Sequence, residues 1–339
     1  MISRLPVLVT GGAGYIGSHA VLALTDAGWP VTVIDNLTTG FRWAVPEDVP
    51  FYQGDIADPA LLARICSEQG IRAVMHFAGS IIVPESVENP LKYYENNTAK
   101  SRSLIAAAVA AGVPHMIFSS TAATYGIPAV SPVREDSPKL PINPYGMSKL
   151  MTEMMLGDVA KAHPLNFCAL RYFNVAGADP RARSGQSTAG ATHLIKVAVE
   201  AALGKRSHVG VFGTDYATPD GTGVRDYIHV SDLAAAHVLA LEALISAPTE
   251  SLTMNCGYGR GFSVLEVLDA LDRVTNLTIE RRLGPRRAGD PDSLISDNAL
   301  IKRTLPWEPK YADLDVIVGH ALAWERKLGD MLDFTGREP

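Results

Sequence analysis

The sequence predicts a doubly wound, parallel α/β sheet followed by a smaller mixed α/β lobe. Short β-branched runs alternate with longer helical stretches through the first half of the chain. Those runs are apolar along their whole length, and a glycine pattern closes the first of them and opens the first helix. Strands apolar on both faces need cover on both, which parallel neighbours joined by helical crossovers supply. Right-handed crossovers then wind the sheet in two directions.

In chain order, strands are expected at 5–10, 31–34, 50–53, 73–77 and 115–119, with helices at 14–27, 59–69 and 91–111 between them. A further helix begins near Pro144, where proline suits the first helical position, and a sixth strand spans 167–173. After Gly177 the pattern loosens into a loop, ADPRARSGQSTAGA. The remainder mixes helices at 192–203, 231–245 and 263–274 with strands at 209–212 and 252–255. The expected division is 1–176 and 177–339, with segments near 225–256 returning to the first sheet. No internal repeat is found.

Composition narrows the class. The 339 residues are 47% hydrophobic and 19% charged, as in an ordinary soluble globular protein. A net charge of −6 gives no electrostatic footprint for nucleic acid. Arg281-Arg282, echoed by Arg286-Arg287, suits either a solvated turn or an anion. Cys66, Cys168 and Cys256 are too far apart for a disulfide framework or a metal knuckle, so buried free thiols in a reducing cytoplasm are expected. No metal is expected. Val7-Leu8-Val9 is too short for a signal peptide or membrane span.

The strongest local signal is Thr10-Gly11-Gly12-Ala13-Gly14-Tyr15-Ile16-Gly17-Ser18, at the end of a strand and the start of a helix. In that context a glycine pattern is a dinucleotide site. Gly11 permits the turn, Gly14 lets the backbone approach a pyrophosphate, and Gly17 lets the helix pack close to the sheet. The helix N-terminus presents free amides to the phosphates. No lysine follows, which excludes an NTPase phosphate loop. Asp35 ends the second strand, where a carboxylate accepts both ribose hydroxyls and repels a 2′-phosphate, so NAD is favoured over NADP. Gly54-Asp55-Ile56 either brackets the adenine or forms a plain turn.

Tyr145 and Lys149 stand four apart at the start of the helix near Pro144 and share one face. Alone, this pair is weak: with 11 tyrosines and 10 lysines, chance supplies roughly a third of one such pair. Its chemistry is stronger. A tyrosine base at neutral pH must be acidified by about three units, ~4 kcal/mol. A lysine ammonium beside a cationic nicotinamide has the right sign. Ser119-Ser120-Thr121 ends the fifth strand at the carboxyl edge, where a hydroxyl can bond a sugar oxygen and share a proton with Tyr145.

TGGAGYIGS, Asp35, FSSTAATYG at 118–126 and PYGMSKLMTE at 144–153 together resemble the extended short-chain dehydrogenase/reductase family. With LRYFNVAGA at 170–178, DGTGVRDYIHVSDLA at 220–234 and RRAGD at 286–290, the chain is more closely similar to its UDP-hexose 4-epimerase branch. The resemblance implies a Rossmann-type NAD-binding domain and a UDP-sugar-binding lobe, with Tyr145 as base, Lys149 as its acidifier and Thr121 as hydroxyl partner. It implies cofactor contacts from Gly11, Gly14, Tyr15, Ile16, Gly17, Asp35, Asn36, Asp55, Ile56, Phe77, Ala78, Gly79, Asn97, Ser119, Tyr145, Lys149 and Tyr172. Substrate contacts would come from Thr121, Tyr145, Phe173, Asn174, His193, Leu194, Val211, Phe212, Arg225, Tyr227, Arg287, Asp290 and Leu294. A homodimer through the helices near 91–111 and 145–162 is a family expectation.

Three positions depart from the pattern. Ile81 stands where many relatives carry lysine, His193 replaces an asparagine, and Leu294 is intermediate between a large aromatic and a small residue. The implied reaction is inversion at C4 through a transient 4-keto sugar, on a plain UDP-hexose or on N-acetylated or pentose donors. A 4,6-dehydratase would need an acid and a base beside Thr121, where Ala122-Ala123 stand. A non-catalytic NAD-sensing regulator could dispense with Tyr145 or Lys149, yet both are present.

Overall fold

The computed structural model describes residues 4–287 and 289–335. Six apolar runs become the strands β1 (Val7–Thr10), β2 (Val31–Asp35), β3 (Phe51–Gln53), β4 (Ala73–His76), β5 (His115–Thr121) and β6 (Asn166–Tyr172). They pair in parallel, and the strand Leu252–Cys256 adds a seventh beside β6. From β1 the chain runs through β2 to β3 on one side, then returns to β4 on the other. The sheet therefore reverses direction between β1 and β4, the point where such sheets bind ligands.

Alternation along β1 shows the two-sided cover directly. Val7 and Val9 enter the core under the helices Tyr15–Asp26 and Val230–Ser246. Leu8 faces the opposite core with Leu62, Leu104 and Leu156, from the helices Pro59–Glu68, Lys100–Ala110 and Pro144–Ala162. The second lobe packs the helices Leu194–Ala202, Val264–Thr275 and Leu314–Thr335 around their own core. Ser263 caps the middle one in a reciprocal box with Glu266. Among the described residues, no helix is long and apolar enough to cross a membrane.

Several expectations change. The helix anticipated over 91–111 is interrupted: Pro90–Tyr93 and Lys100–Ala110 are α-helical, but Tyr94–Ala99 is a π-helical turn. Such turns re-aim side chains near functional sites, and here the turn buries Asn97. Arg281 and Arg282 do not form a turn. They lie in a strand, Arg281–Gly284, parallel to Val209–Phe212, and are neutralised by Asp269, Asp272 and Glu280. Cys168 and Cys256 are buried free thiols, whereas Cys66 is only half-buried.

Beneath the fifth and sixth strands lies a desolvated ion pair. Arg171 of β6 meets Glu153 of the helix Pro144–Ala162 at 2.5 Å, both nearly inaccessible. Ser120 of β5 donates to the same carboxylate, and Arg171 also donates to the Tyr125 hydroxyl. Tyr125 in turn donates to Asn255 of the seventh strand. Removing one partner leaves a buried charge uncompensated. Glu153→Ala is expected to cost about 3–5 kcal/mol of unfolding free energy, measured by urea denaturation. A loss below about 1 kcal/mol would show that water or rearrangement replaces the pair.

Candidate active site

The glycine loop turns at Gly11, whose φ of +68° suits glycine, and whose position leaves no room for a Cβ against the Ala78 amide at 2.6 Å. A Cβ on Gly17 would fall 2.1 Å from the Gly11 carbonyl oxygen. The tight contact of Gly17 is thus with the loop itself, whereas Gly12 packs on the sheet, against Val33 of β2. At Gly14 only one atom comes near, at 3.3 Å. The following helix has no side-chain cap and no acidic residue in its first turn. Open amides beside an unfilled approach fit a dinucleotide pyrophosphate, as an acid-capped helix would not.

Around this loop the other cofactor candidates divide. Asp35 is buried at the end of β2 and accepts from the Ala13 and Leu37 amides at 3.0 and 2.8 Å, tying the loop to the strand. Burial pushes its carboxyl up while those amides act in the opposite direction. Asn36 is exposed, and Asp55 is paired with Lys100 at 2.6 Å, so its carboxylate is already engaged. Ile56 is buried in the core beneath, while Ile16, Phe77 and Ala78 are half-buried at the carboxyl edge. The Tyr15 hydroxyl is also taken: it donates to the Gly177 carbonyl at 2.7 Å, joining the loop to the start of the second lobe.

The catalytic candidates converge on the ends of β5 and β6. Asn143 caps the helix through the Gly146 amide at 2.8 Å, and Tyr145 and Lys149 follow on its buried face. Lys149 Nζ donates to the Ser119 carbonyl at 3.1 Å and lies 5.0 Å from the Phe118 ring centre. Burial lowers its ammonium to about 8. Burial also raises the Tyr145 phenol above its usual range, with the Thr121 hydroxyl acting against it. Ser119 Oγ and the Tyr172 hydroxyl are 2.6 Å apart. Asn97 ties the π-turn to its surroundings: it accepts from the Ser80 amide at 2.7 Å and donates to Ser148 Oγ at 3.1 Å. A Cβ on the neighbouring Gly79 would strike its side-chain oxygen at 2.8 Å.

The substrate candidates form a second cluster. Phe173 and Leu294 pack with Ala122, Tyr125 and Val133 into an apolar wall. Arg225 donates to the Pro291 carbonyl at 2.9 Å and stands 3.6 Å from Asp290. The Arg287 guanidinium lies 4.1 Å over the ring of Phe212, which is 41% exposed. Asn174, His193, Leu194 and Tyr227 line a common cavity with Gln186 and Lys196. Val211 is buried in the second-lobe core, so only its backbone can meet a ligand. Ile81, beside the glycine Gly79, is largely exposed.

Sequence reasoning missed several partners. Gln186 donates to His193 Nδ1 at 2.7 Å, which leaves Nε2 of that ring as its N–H donor. Tyr216 is buried beneath Arg286, and Ser148 ties Asn97 to the catalytic helix. Gln186 lies in a loop without periodicity, and nothing local marks it. Tyr216 stands four residues before the quoted DGTG segment, where its place beside Arg286 was invisible.

Residues 7–257 match the NAD dependent epimerase/dehydratase family. A UDP-glucose 4-epimerase of Azospirillum brasilense is 58% identical over 330 residues, 97% of this chain and 94% of the relative. A UDP-glucose 4-epimerase structure from Brucella ovis in complex with NAD is 45% identical, with a TM-score of 0.91 over 94% of this chain and 98% of that one. The UDP-Glc/GlcNAc 4-epimerase of Campylobacter jejuni is 46% identical, with a TM-score of 0.84 over 95% and 99% of the two chains.

Proposed function

The chain belongs to the NAD dependent epimerase/dehydratase family, and from that premise we propose that it inverts C4 of a UDP-hexose, interconverting UDP-glucose and UDP-galactose. The observation that carries the reading is the convergence of Thr121, Tyr145 and Lys149 at the switch-point edge of the sheet, beside an uncapped glycine loop. NAD, when bound, supplies a hydride acceptor that is restored within each turnover. Gly11, Gly14, Gly17 and Asp35 hold it, with Asn97 and Lys149 near the reacting end.

The chain's own part is proton transfer and orientation. Tyr145 takes the O4 proton as C4 is oxidised and returns a proton to O4 when C4 is reduced from its other face, while Thr121 bonds the sugar oxygen. Both groups are buried, so a positive charge nearby acts on the phenol through a low dielectric. Lys149 is poised for this, since its lowered ammonium still carries charge at neutral pH. Asn174, Arg225, Arg287 and Asp290 hold the UDP end, and Gln186 orients His193 toward it. Forked guanidiniums suit a diphosphate. The sugar itself meets the apolar wall of Phe173 and Leu294, which lets it turn over while its tether stays fixed.

Elimination of water is disfavoured by the same geometry. Ala122 and Ala123 follow Thr121 in a short helical turn, and the buried carboxylate behind them, Glu153, is committed to Arg171. We place the enzyme in cytoplasmic galactose metabolism, consistent with its free thiols.

Tyr145→Phe removes the base and keeps the ring. Epimerisation should fall by at least about 10²–10⁴-fold with UDP binding retained. Near-normal turnover would overturn the reading. Lys149→Met removes the cation that favours the phenolate, so the phenol's titration moves up and the pH profile shifts toward alkaline values. A profile unchanged between wild type and variant removes that role. Leu294→Ser opens the apolar wall and should raise kcat/KM for an N-acetylated donor relative to UDP-glucose by about 10–200-fold. An unchanged ratio means that another residue sets the pocket. A homodimer is supported by Leu91 on the short helix Pro90–Tyr93 and Met154 on the helix Pro144–Ala162, which are 77% and 63% exposed. Sedimentation at the mass of one chain would exclude it.

A further inference from the structure

We propose that the Tyr216 hydroxyl is a positioning group for Asp290, steadying that carboxylate when a nucleoside diphosphate occupies the site. This deepens the UDP-sugar reading above and rests on it. Tyr216 is buried, and its hydroxyl has no hydrogen-bond partner among the described residues. Buried phenols ordinarily find one, so an orphan here marks a place where a partner arrives or turns.

The ring cannot move far. Arg286 lies 4.1 Å over it and donates to Asp215 at 2.7 Å. The Ala217 amide donates to Asp292 at 3.2 Å, and the Tyr216 amide to the Gly221 carbonyl at 2.9 Å. Beside Arg286, a Cβ at Gly213 (φ +86°) would fall 2.4 Å from the ring and 2.8 Å from Arg286 Cγ. Tyr216 is thereby clamped between the loop 213–221 and the segment that carries Arg287 and Asp290. Arg225, Asp290, Asp215 and Arg286 are the charged groups whose fields reach its hydroxyl.

Among the described residues Asp290 has one close cation, Arg225, at 3.6 Å. A diphosphate competes for that guanidinium, because forked donors bind phosphate oxygens in pairs. As Arg225 turns to the phosphates, Asp290 loses its counter-charge. The Tyr216 hydroxyl is then the donor at hand, since a phenol O–H gives its proton to a carboxylate without adding charge. Phenylalanine at 216 would keep the stack on Arg286 and lose only this donor.

The test is Tyr216→Phe, alone and with Asp290→Asn, read by UDP calorimetry, steady-state kinetics and thermal melting. Tyr216→Phe should weaken UDP and raise KM by about tenfold, the effect of one hydrogen bond to a charged group, while kcat stays within about twofold. Ligand-free melting should be unchanged or higher, because the lost hydroxyl had no partner. In the Asp290→Asn background the change should have little further effect. Wild-type UDP affinity in Tyr216→Phe, or full additivity with Asp290→Asn, overturns the proposal while the epimerase reading stands. A wild-type protein that neither binds UDP nor inverts a UDP-hexose removes the functional reading and this proposal with it.

Discussion

The buried pair of Arg171 and Glu153 holds the floor of the candidate site in one arrangement. It joins β6 to the helix that carries Tyr145 and Lys149, and Ser120 brings in β5 one residue before Thr121. Through Tyr125 and Asn255 the same network reaches the seventh strand, and Asn255 also donates to the Val133 carbonyl behind the apolar wall. A hydrophobic contact tolerates sliding. A desolvated ion pair does not, because any slip leaves a charge without its partner. The helix face and both strand ends are therefore registered to one another.

On that floor, burial works against the free chemistry of both titrating groups. It raises the Tyr145 phenol and lowers the Lys149 ammonium, so each is held nearer neutrality than in water. The same exclusion of water makes any nearby charge act more strongly. The site is thus sensitive to what occupies it.

At the candidate substrate end Arg225 meets Asp290 and Arg287 lies over the Phe212 ring, while Phe173, Val133 and Leu294 pack into an apolar wall. Leu294 sits in register with Arg225 on adjacent strands, so their side chains leave the same face of that small sheet and the charged and apolar contacts lie side by side. That placement is what supports the proposed division between an anchored nucleotide end and a loosely held sugar.

Much of this was legible in the sequence because it is local. The glycine loop, Asp35, the helix start at Pro144 and the four-residue spacing of Tyr145 and Lys149 each depend on backbone geometry over a single turn or strand end. The apolar strands likewise announce a sheet covered on both faces. Spacing said nothing, however, about the π-turn that buries Asn97, the Tyr15 hydroxyl on the Gly177 carbonyl, the grip of Gln186 on His193, or Tyr216 under Arg286. These are meetings between segments far apart in the chain, some in loops without periodicity, and no local propensity encodes them. Hence the chain alone determined which chemistry it carries and on which elements, whereas packing decided which groups are already engaged, which are left open, and where charge gives way to apolar wall.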